Sequence, residues 1–234
     1  MSEPAELDRS LLEDFPLPEQ PDGDKHERGR LLVVAGQRSL PGAAVLCAKA
    51  AMRSGAGSLK IATVESIAAH VGIAVPESRT IGLAEADDGG FAKGAVANIG
   101  ELAEDVDAVI AGPGMLESST CEAIAEVLLK TGAALALDAG ILRSLPPLDD
   151  TAKSKPAPIL LPHAGEMAAL LGCDERRIEA DPVRCGRECA ERYGAITLVK
   201  GSTSHIIHPD GRAWVYRGGA PGLGVSGSAG AYRP

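Results

Sequence analysis

With 234 residues and a formal net charge of -9, the chain can hold one large α/β domain and lacks the concentrated Lys and Arg that nucleic acids and anionic membranes select. Apolar residues make up 45% of it but aromatic ones only 3%, so the predicted core is built from Ala, Val, Leu and Ile. Cys47, Cys121, Cys173, Cys185 and Cys189 are odd in number and scattered, which fits reduced thiols better than a disulfide framework. Cys185 and Cys189 would share a helix face, with no second close Cys or His pair to complete a zinc site. No leader pattern and no apolar stretch of about 18 residues is present, so a soluble cytoplasmic protein is expected, without a nucleic-acid or membrane partner. An acidic protein can still bind an anionic small molecule through backbone amides.

Residues 1–29 are rich in Pro, Asp and Glu, with Leu11, Leu12 and Phe15 as their apolar cluster, and read as a flexible arm. Residues 30–234 read as a single α/β domain. Leu31 to Ala35 is an apolar run closed by Gly36, the pattern of a buried parallel strand. After Pro41-Gly42, a helix is predicted over Ala43 to Arg53, ending at Ser54-Gly55-Ala56-Gly57. A strand over Ser58 to Ala62, a helix from about Glu65, a weak strand near Thr80 to Leu83 and a helix over Phe91 to Ala103 follow. Ala108 to Ala111 is a third strong strand and runs into Gly112-Pro113-Gly114. A helix over Glu117 to Lys130, a strand over Ala134 to Asp138 and a strand over Ile159 to Leu161 come next. Helices over Gly165 to Leu171 and Val183 to Tyr193 and a strand over Ile196 to Lys200 lead to a hairpin, Ser204 to His208 and Ala213 to Tyr216, turning at Pro209-Asp210-Gly211-Arg212. This alternation predicts a mostly parallel central sheet with helices on both faces.

In such sheets ligands bind beyond the carboxyl ends of the strands. The turns Gly36 to Gly42, Gly112 to Gly114, Pro162 to Glu166 and Lys200 to Ser204 leave strands at that edge. Each alone could be a tight connection. Neither a Walker A motif nor a Gly-x-Gly-x-x-Gly at the first strand is present. The stretch Pro221 to Gly230 has the composition of a phosphate-cradling loop, and only Ala231-Tyr232-Arg233-Pro234 follow it in the sequence.

Taken in order, Gly29 to Gly36, Pro41 to Ala44, Arg53 to Gly57, Ala111 to Gly114, Leu161 to Glu166 and Val199 to Thr203 resemble the ADP/ATP-dependent NAD(P)H-hydrate dehydratases of the ribokinase-like superfamily, over about residues 26 to 229. The resemblance implies a ribokinase-like fold, a cytoplasmic lyase and a metabolite-repair activity. That activity dehydrates the S epimer of hydrated NADH or NADPH with ADP or ATP as co-substrate and Mg²⁺ as cofactor. It also implies a homo-oligomer, a homotetramer.

By resemblance, Ala43, Gly114 and His163 contact the hydrated dinucleotide. The first two carry little or no side chain, and the third can hydrogen-bond a ligand or simply cap a helix. Lys200, Gly201, Ser202, Thr203, Ser204 and Ala229 match the adenine-nucleotide segments, unless residues 200–204 are only a turn into the hairpin. Glu166 and Asp138 are candidate Mg²⁺ carboxylates, with helix-end capping as the rival for each.

The family's terminal Gly-x-Gly-Asp differs here. Ala229 and Gly230 stand at its last two positions, so no catalytic residue is intact, because the aspartate that serves as base is replaced by Gly230. The expectation is a shortened or frame-shifted enzyme that lacks the C-terminal helices and turns over poorly. Two rivals remain: a ribokinase-like kinase for a small alcohol or vitamin precursor, and a non-catalytic nucleotide-binding remnant.

Overall fold

Glycine and proline punctuate the apolar runs at intervals that leave a helix's length between successive strands. In the computed structural model, which describes residues 3–16, 28–146 and 156–218, the chain begins with β1 (Ala5–Glu6), α1 (Arg9–Glu13), β2 (Arg30–Val34), α2 (Pro41–Arg53) and β3 (Ser58–Val64). It continues through α3 (Glu65–Ala74), β4 (Arg79–Leu83), α4 (Ala95–Glu104), β5 (Ala108–Ala111), α5 (Ser119–Lys130), β6 (Ala134–Leu137) and α6 (Ala139–Arg143). The remainder is β7 (Ile159–Leu160), α7 (Ala164–Leu171), α8 (Glu175–Ala180), α9 (Pro182–Tyr193), β8 (Ile196–Val199), β9 (Ser204–Ile207) and β10 (Ala213–Tyr216). The described residues fall into two compact units, one from 28–146 and the other from 3–16 and 157–218.

In the unit of residues 28–146, five strands pair in parallel in the order β6-β5-β2-β3-β4. The central strand, β2, places Val33 opposite Ile61 on one side and Ile110 on the other. Its Leu32, Val33 and Val34 are fully buried, as a strand covered on both faces requires. Helices supply the cover through Ala44, Ala48, Ile99, Ile124 and Leu128, all at 0% exposure, and small alanines let α2 lie close to the strands. At the amino edge of the sheet, Arg30 meets Asp107 at 2.9 Å and Asp105 at 3.4 Å, and Lys60 meets Asp105 at 2.6 Å. These pairs tie the starts of β2 and β3 to the turn before β5.

In the unit of residues 3–16 and 157–218, the strand order is β1-β10-β9-β8-β7, with β7 and β8 parallel and β8, β9 and β10 antiparallel. Helix α9 covers this sheet: Cys185, Cys189, Ala190 and Tyr193 are buried on one face, and Tyr193 Oη donates to the Leu170 carbonyl at 3.1 Å. Asp181 caps its start by accepting from Arg184 N, Pro182 takes the first turn, and Gly194 ends it with φ 55°.

Several boundaries differ from the sequence reading. Part of the expected arm is anchored: β1 pairs in parallel with β10, Leu7 N donates to the Val215 carbonyl at 2.7 Å, and Phe15 stacks edge-on against Trp214. Helix α4 starts at Ala95 rather than Phe91, because Glu85 and Phe91 form an antiparallel bridge around the turn Ala86 to Gly90 and Phe91 is buried. The short helices α6 and α8 had no apolar periodicity to announce them, and each is set by an aspartate cap, Asp138 and Asp174. The five cysteines carry no disulfide, and no described helix is long and apolar enough to cross a membrane.

Candidate active site

Because β2, β5 and β6 run parallel, the turns that follow them share the carboxyl edge of one sheet. Gly36, with φ 81°, bends the chain out of β2, and its N–H donates to the Pro113 carbonyl at 2.8 Å. Gly112 N–H donates back to the Val34 carbonyl at 3.0 Å, so the turns after β2 and β5 are sewn together by their backbones. Gly114, with φ 71°, lies against Ala43: a Cβ on it would come 2.5 Å from Ala43 Cβ and 3.0 Å from the Leu40 carbonyl oxygen. Two of the three residues that the resemblance assigns to the dinucleotide are therefore neighbours.

The turn after β6 presses on the same corner. A side chain on Gly112 would collide with the Asp138 carbonyl, and one on Gly140 would approach the Met115 carbonyl at 2.6 Å. Asp138 is 4% exposed and accepts from Ala139 N at 2.9 Å, while Ala139 adopts φ 47°, the left-handed region. The capping role weighed for Asp138 is thus present. Burial first, and the Asp138 charge second, push the Cys47 thiol on α2 up to about 11.

Sequence reading missed Gln37. Its side chain is buried, its Oε1 accepts from Leu116 N at 3.2 Å, and its Nε2 donates to Ser39 Oγ at 2.8 Å. A polar residue after a glycine turn has no local signature that foretells a partner 79 residues away.

The other unit holds His163, Glu166 and Lys200. His163 is the N-cap of α7: its Nδ1 accepts from Gly165 N at 3.0 Å and Glu166 N at 3.4 Å, while Glu166 Oε2 accepts from His163 N at 2.9 Å. This is a capping box with histidine in the place usually held by Ser or Thr. Acceptance at Nδ1 puts the ring proton on Nε2, which faces Glu166 Oε1 at 3.3 Å. Lys200 bridges to His163 in parallel register, its N–H donates to the Pro162 carbonyl at 2.8 Å, and the ammonium of its part-buried side chain lies 3.9 Å from Glu166 Oε2. Residues 201–203 form the turn into β9, which begins at Ser204. Ala229 and Gly230 lie outside the described residues.

Among the described residues no group of three or more His, Cys, Asp or Glu side chains is gathered to hold a metal. Mg²⁺ carried on nucleotide phosphates needs only one or two carboxylates and keeps several waters. Glu166 fits a direct ligand poorly, since both oxygens already face the cap, the imidazole and Lys200.

A family profile described as NAD(P)H-hydrate dehydratase matches residues 31–230. The ADP-dependent (S)-NAD(P)H-hydrate dehydratase of Xanthomonas campestris is 42% identical over 216 residues, 91% of this chain and 72% of that one. The bifunctional NAD(P)H-hydrate repair enzyme of Thermofilum pendens is 34% identical over 94% of this chain, which spans only 44% of its length. Among solved structures, the ADP/ATP-dependent NAD(P)H-hydrate dehydratase of Bacillus subtilis, co-crystallized with ATP and Mg²⁺, aligns with a TM-score of 0.74 and 27% identity, covering 90% of this chain and 72% of that one. The α/β fold of mostly parallel strands with flanking helices is the one those enzymes use. The chain belongs to the NAD(P)H-hydrate dehydratase family.

Proposed function

We propose that this chain binds the S epimer of hydrated NADH or NADPH together with ADP or ATP, and that the chemistry of the site is nucleotide-driven dehydration. The observation that carries the reading is the junction of the Gly36, Gly112 and Gly114 turns with Ala43 at the carboxyl edge of the sheet, packed so closely that a Cβ at position 112 or 114 would collide with backbone or with the Ala43 methyl group. Family membership supports hydrated NADH or NADPH as the ligand.

In this reading the oxygen of the ring hydroxyl attacks the terminal phosphoryl group of the nucleotide, losing its proton to solvent as the P–O bond to the nucleotide breaks and AMP or ADP departs. A base then takes a proton from the neighbouring ring carbon, its electron pair forms the ring double bond, and the C–O bond breaks to expel phosphate. Positioning and electrostatics carry most of such a transfer. The Gly36 and Gly112 N–H groups donate to the Pro113 and Val34 carbonyls and so fix the two turns against each other. The His163 ring is already engaged, Nδ1 with the helix amides and Nε2 with Glu166 Oε1 at 3.3 Å, so a hydrogen bond from Nε2–H to a ligand oxygen would replace that second contact. Residues 200–204 and Ala229 remain the proposed nucleotide segments. A Mg²⁺ ion, where it takes part, would neutralise phosphate charge, with Asp138 a candidate carboxylate beside it.

Gly230 stands where the family pattern carries its base. Loss of a general base costs about 10² to 10⁴ in rate, so we infer slow turnover with binding retained. Binding without turnover is the second reading, and Gly230 favours it. Incubation of the chain with hydrated NADPH, ADP or ATP and Mg²⁺ tests the proposal through the return of reduced-nicotinamide absorbance, with calorimetry on NADPH and ADP in parallel. Slow recovery with measurable binding is expected; no binding of either ligand overturns the reading. Accumulation of a phosphorylated product without restored NADPH would instead identify a kinase. Self-association, expected by resemblance as a homotetramer, is read by light scattering.

A further inference from the structure

The turn that leads into helix α2 and Ala43 and the turn that carries Gly114 are joined by backbone at their roots, but further out the connection passes through one buried side chain. Gln37 follows Gly36 on the β2 turn and is 4% exposed. Its Oε1 takes the N–H of Leu116 at 3.2 Å, across 79 residues of sequence, and its Nε2 binds Ser39 Oγ at 2.8 Å. Its own carbonyl accepts from Leu40 N at 2.9 Å, and the Leu40 carbonyl accepts from Ala43 N at 3.4 Å. Gln37 therefore bonds at once to the segment leading into Ala43 and to the segment leaving Gly114. Both leucines it holds are unusually exposed for their type, Leu40 at 45% and Leu116 at 62%. Exposed apolar side chains beside a closely packed backbone corner at the carboxyl edge of a parallel sheet, one of them held by a buried amide, mark a place where a ligand can dock.

We propose that Gln37 is a positioning residue, which sets the spacing of the Ala43 and Gly114 turns and holds Leu116 at the rim, where it packs on the bound dinucleotide. This rests on the substrate reading above. Removing the amide leaves the Leu116 N–H without its acceptor, and the rim loop then samples positions that do not match the ligand.

The test compares wild type, Gln37→Met, Leu116→Ala and the double variant by calorimetry with NADPH and, separately, with ADP. Methionine keeps the length and bulk of Gln37 without its donor or acceptor. Gln37→Met is expected to weaken NADPH binding about tenfold and leave ADP binding unchanged, a selectivity that general destabilisation does not produce. Leu116→Ala, at an exposed position, is expected to weaken NADPH about threefold. If Gln37 acts through Leu116, the double variant is no weaker than Gln37→Met alone.

NADPH affinity of Gln37→Met within twofold of wild type, an equal loss for ADP, or fully additive effects would each overturn the proposal. Should Gln37→Met not fold, Leu116→Ala decides by itself, unchanged NADPH affinity being the refuting result. Wild type that fails to bind NADPH at all refutes the substrate reading, and the clamp with it, so the two failures are distinguishable.

Discussion

Gly114 and Ala43 stand so close that a single methyl group on Gly114 would come within 2.5 Å of Ala43 Cβ. Gly114 also holds φ 71°, which alanine adopts only at a cost. Strain and overpacking act together, so Gly114→Ala is expected to destabilise the protein by about 3 kcal/mol, read as a lower urea midpoint. Under the proposed function it also abolishes measurable NADPH binding while ADP still binds.

His163 separates a structural role from a ligand role. His163→Ala removes the acceptor for Gly165 N and Glu166 N and is expected to cost about 1 kcal/mol. His163→Asn restores a standard N-cap and recovers most of that stability. If His163 also donates to the dinucleotide, NADPH affinity stays low in the asparagine variant. Recovery of both together would assign His163 to the helix alone.

Gly230→Asp tests the base directly. Should the missing carboxylate limit the reaction, the variant raises the rate of NADPH recovery by at least tenfold with little change in affinity for ADP. An unchanged rate would place the limitation elsewhere.

Cys47 gives the site an alkaline signature. Its folded thiol is raised from 9.0 to about 11 by burial and by Asp138, so the native state resists ionising it. Below pH 9 both folded and unfolded thiols are protonated and the group has no effect. Between pH 9 and 11 the unfolded thiol loses its proton first, so stability falls as pH rises. The urea midpoint of wild type should therefore drop more between pH 8 and 10 than that of Cys47→Ala. Equal drops in the two proteins would show that Cys47 ionises normally.

The strands of residues 28–146 were legible because parallel strands buried on both faces are written as unbroken apolar runs: the expected Leu31 to Ala35, Ala108 to Ala111 and Ala134 to Asp138 correspond to β2 (Arg30–Val34), β5 (Ala108–Ala111) and β6 (Ala134–Leu137), shifted by at most one residue at an end. The glycines of the candidate site were legible for a related reason. A chain that must bend sharply and be approached closely has few residues to choose from, hence Gly36, Gly112 and Gly114. Helix α4 was misjudged at its start because a bridge between Glu85 and Phe91, a contact between separate residues, outweighed the local helical pattern. His163 was assigned to the dinucleotide by resemblance, with a helix cap as the rival; the geometry adds that its imidazole takes the place Ser or Thr usually holds in a capping box.

By itself, then, the sequence determined the α/β class, the order of strands and turns, the family and the absence of an aspartate at position 230. The class and the order of elements follow from composition and local periodicity, which each segment carries alone; the family follows from the resemblance of an ordered set of motifs. The tertiary structure alone decided that Ala43 touches Gly114, that Gln37 reaches Leu116, and that the part-buried Lys200 faces the buried Glu166. Those pairings join segments tens of residues apart, and their partners are chosen by how the strands stack and the loops meet, which no local pattern encodes.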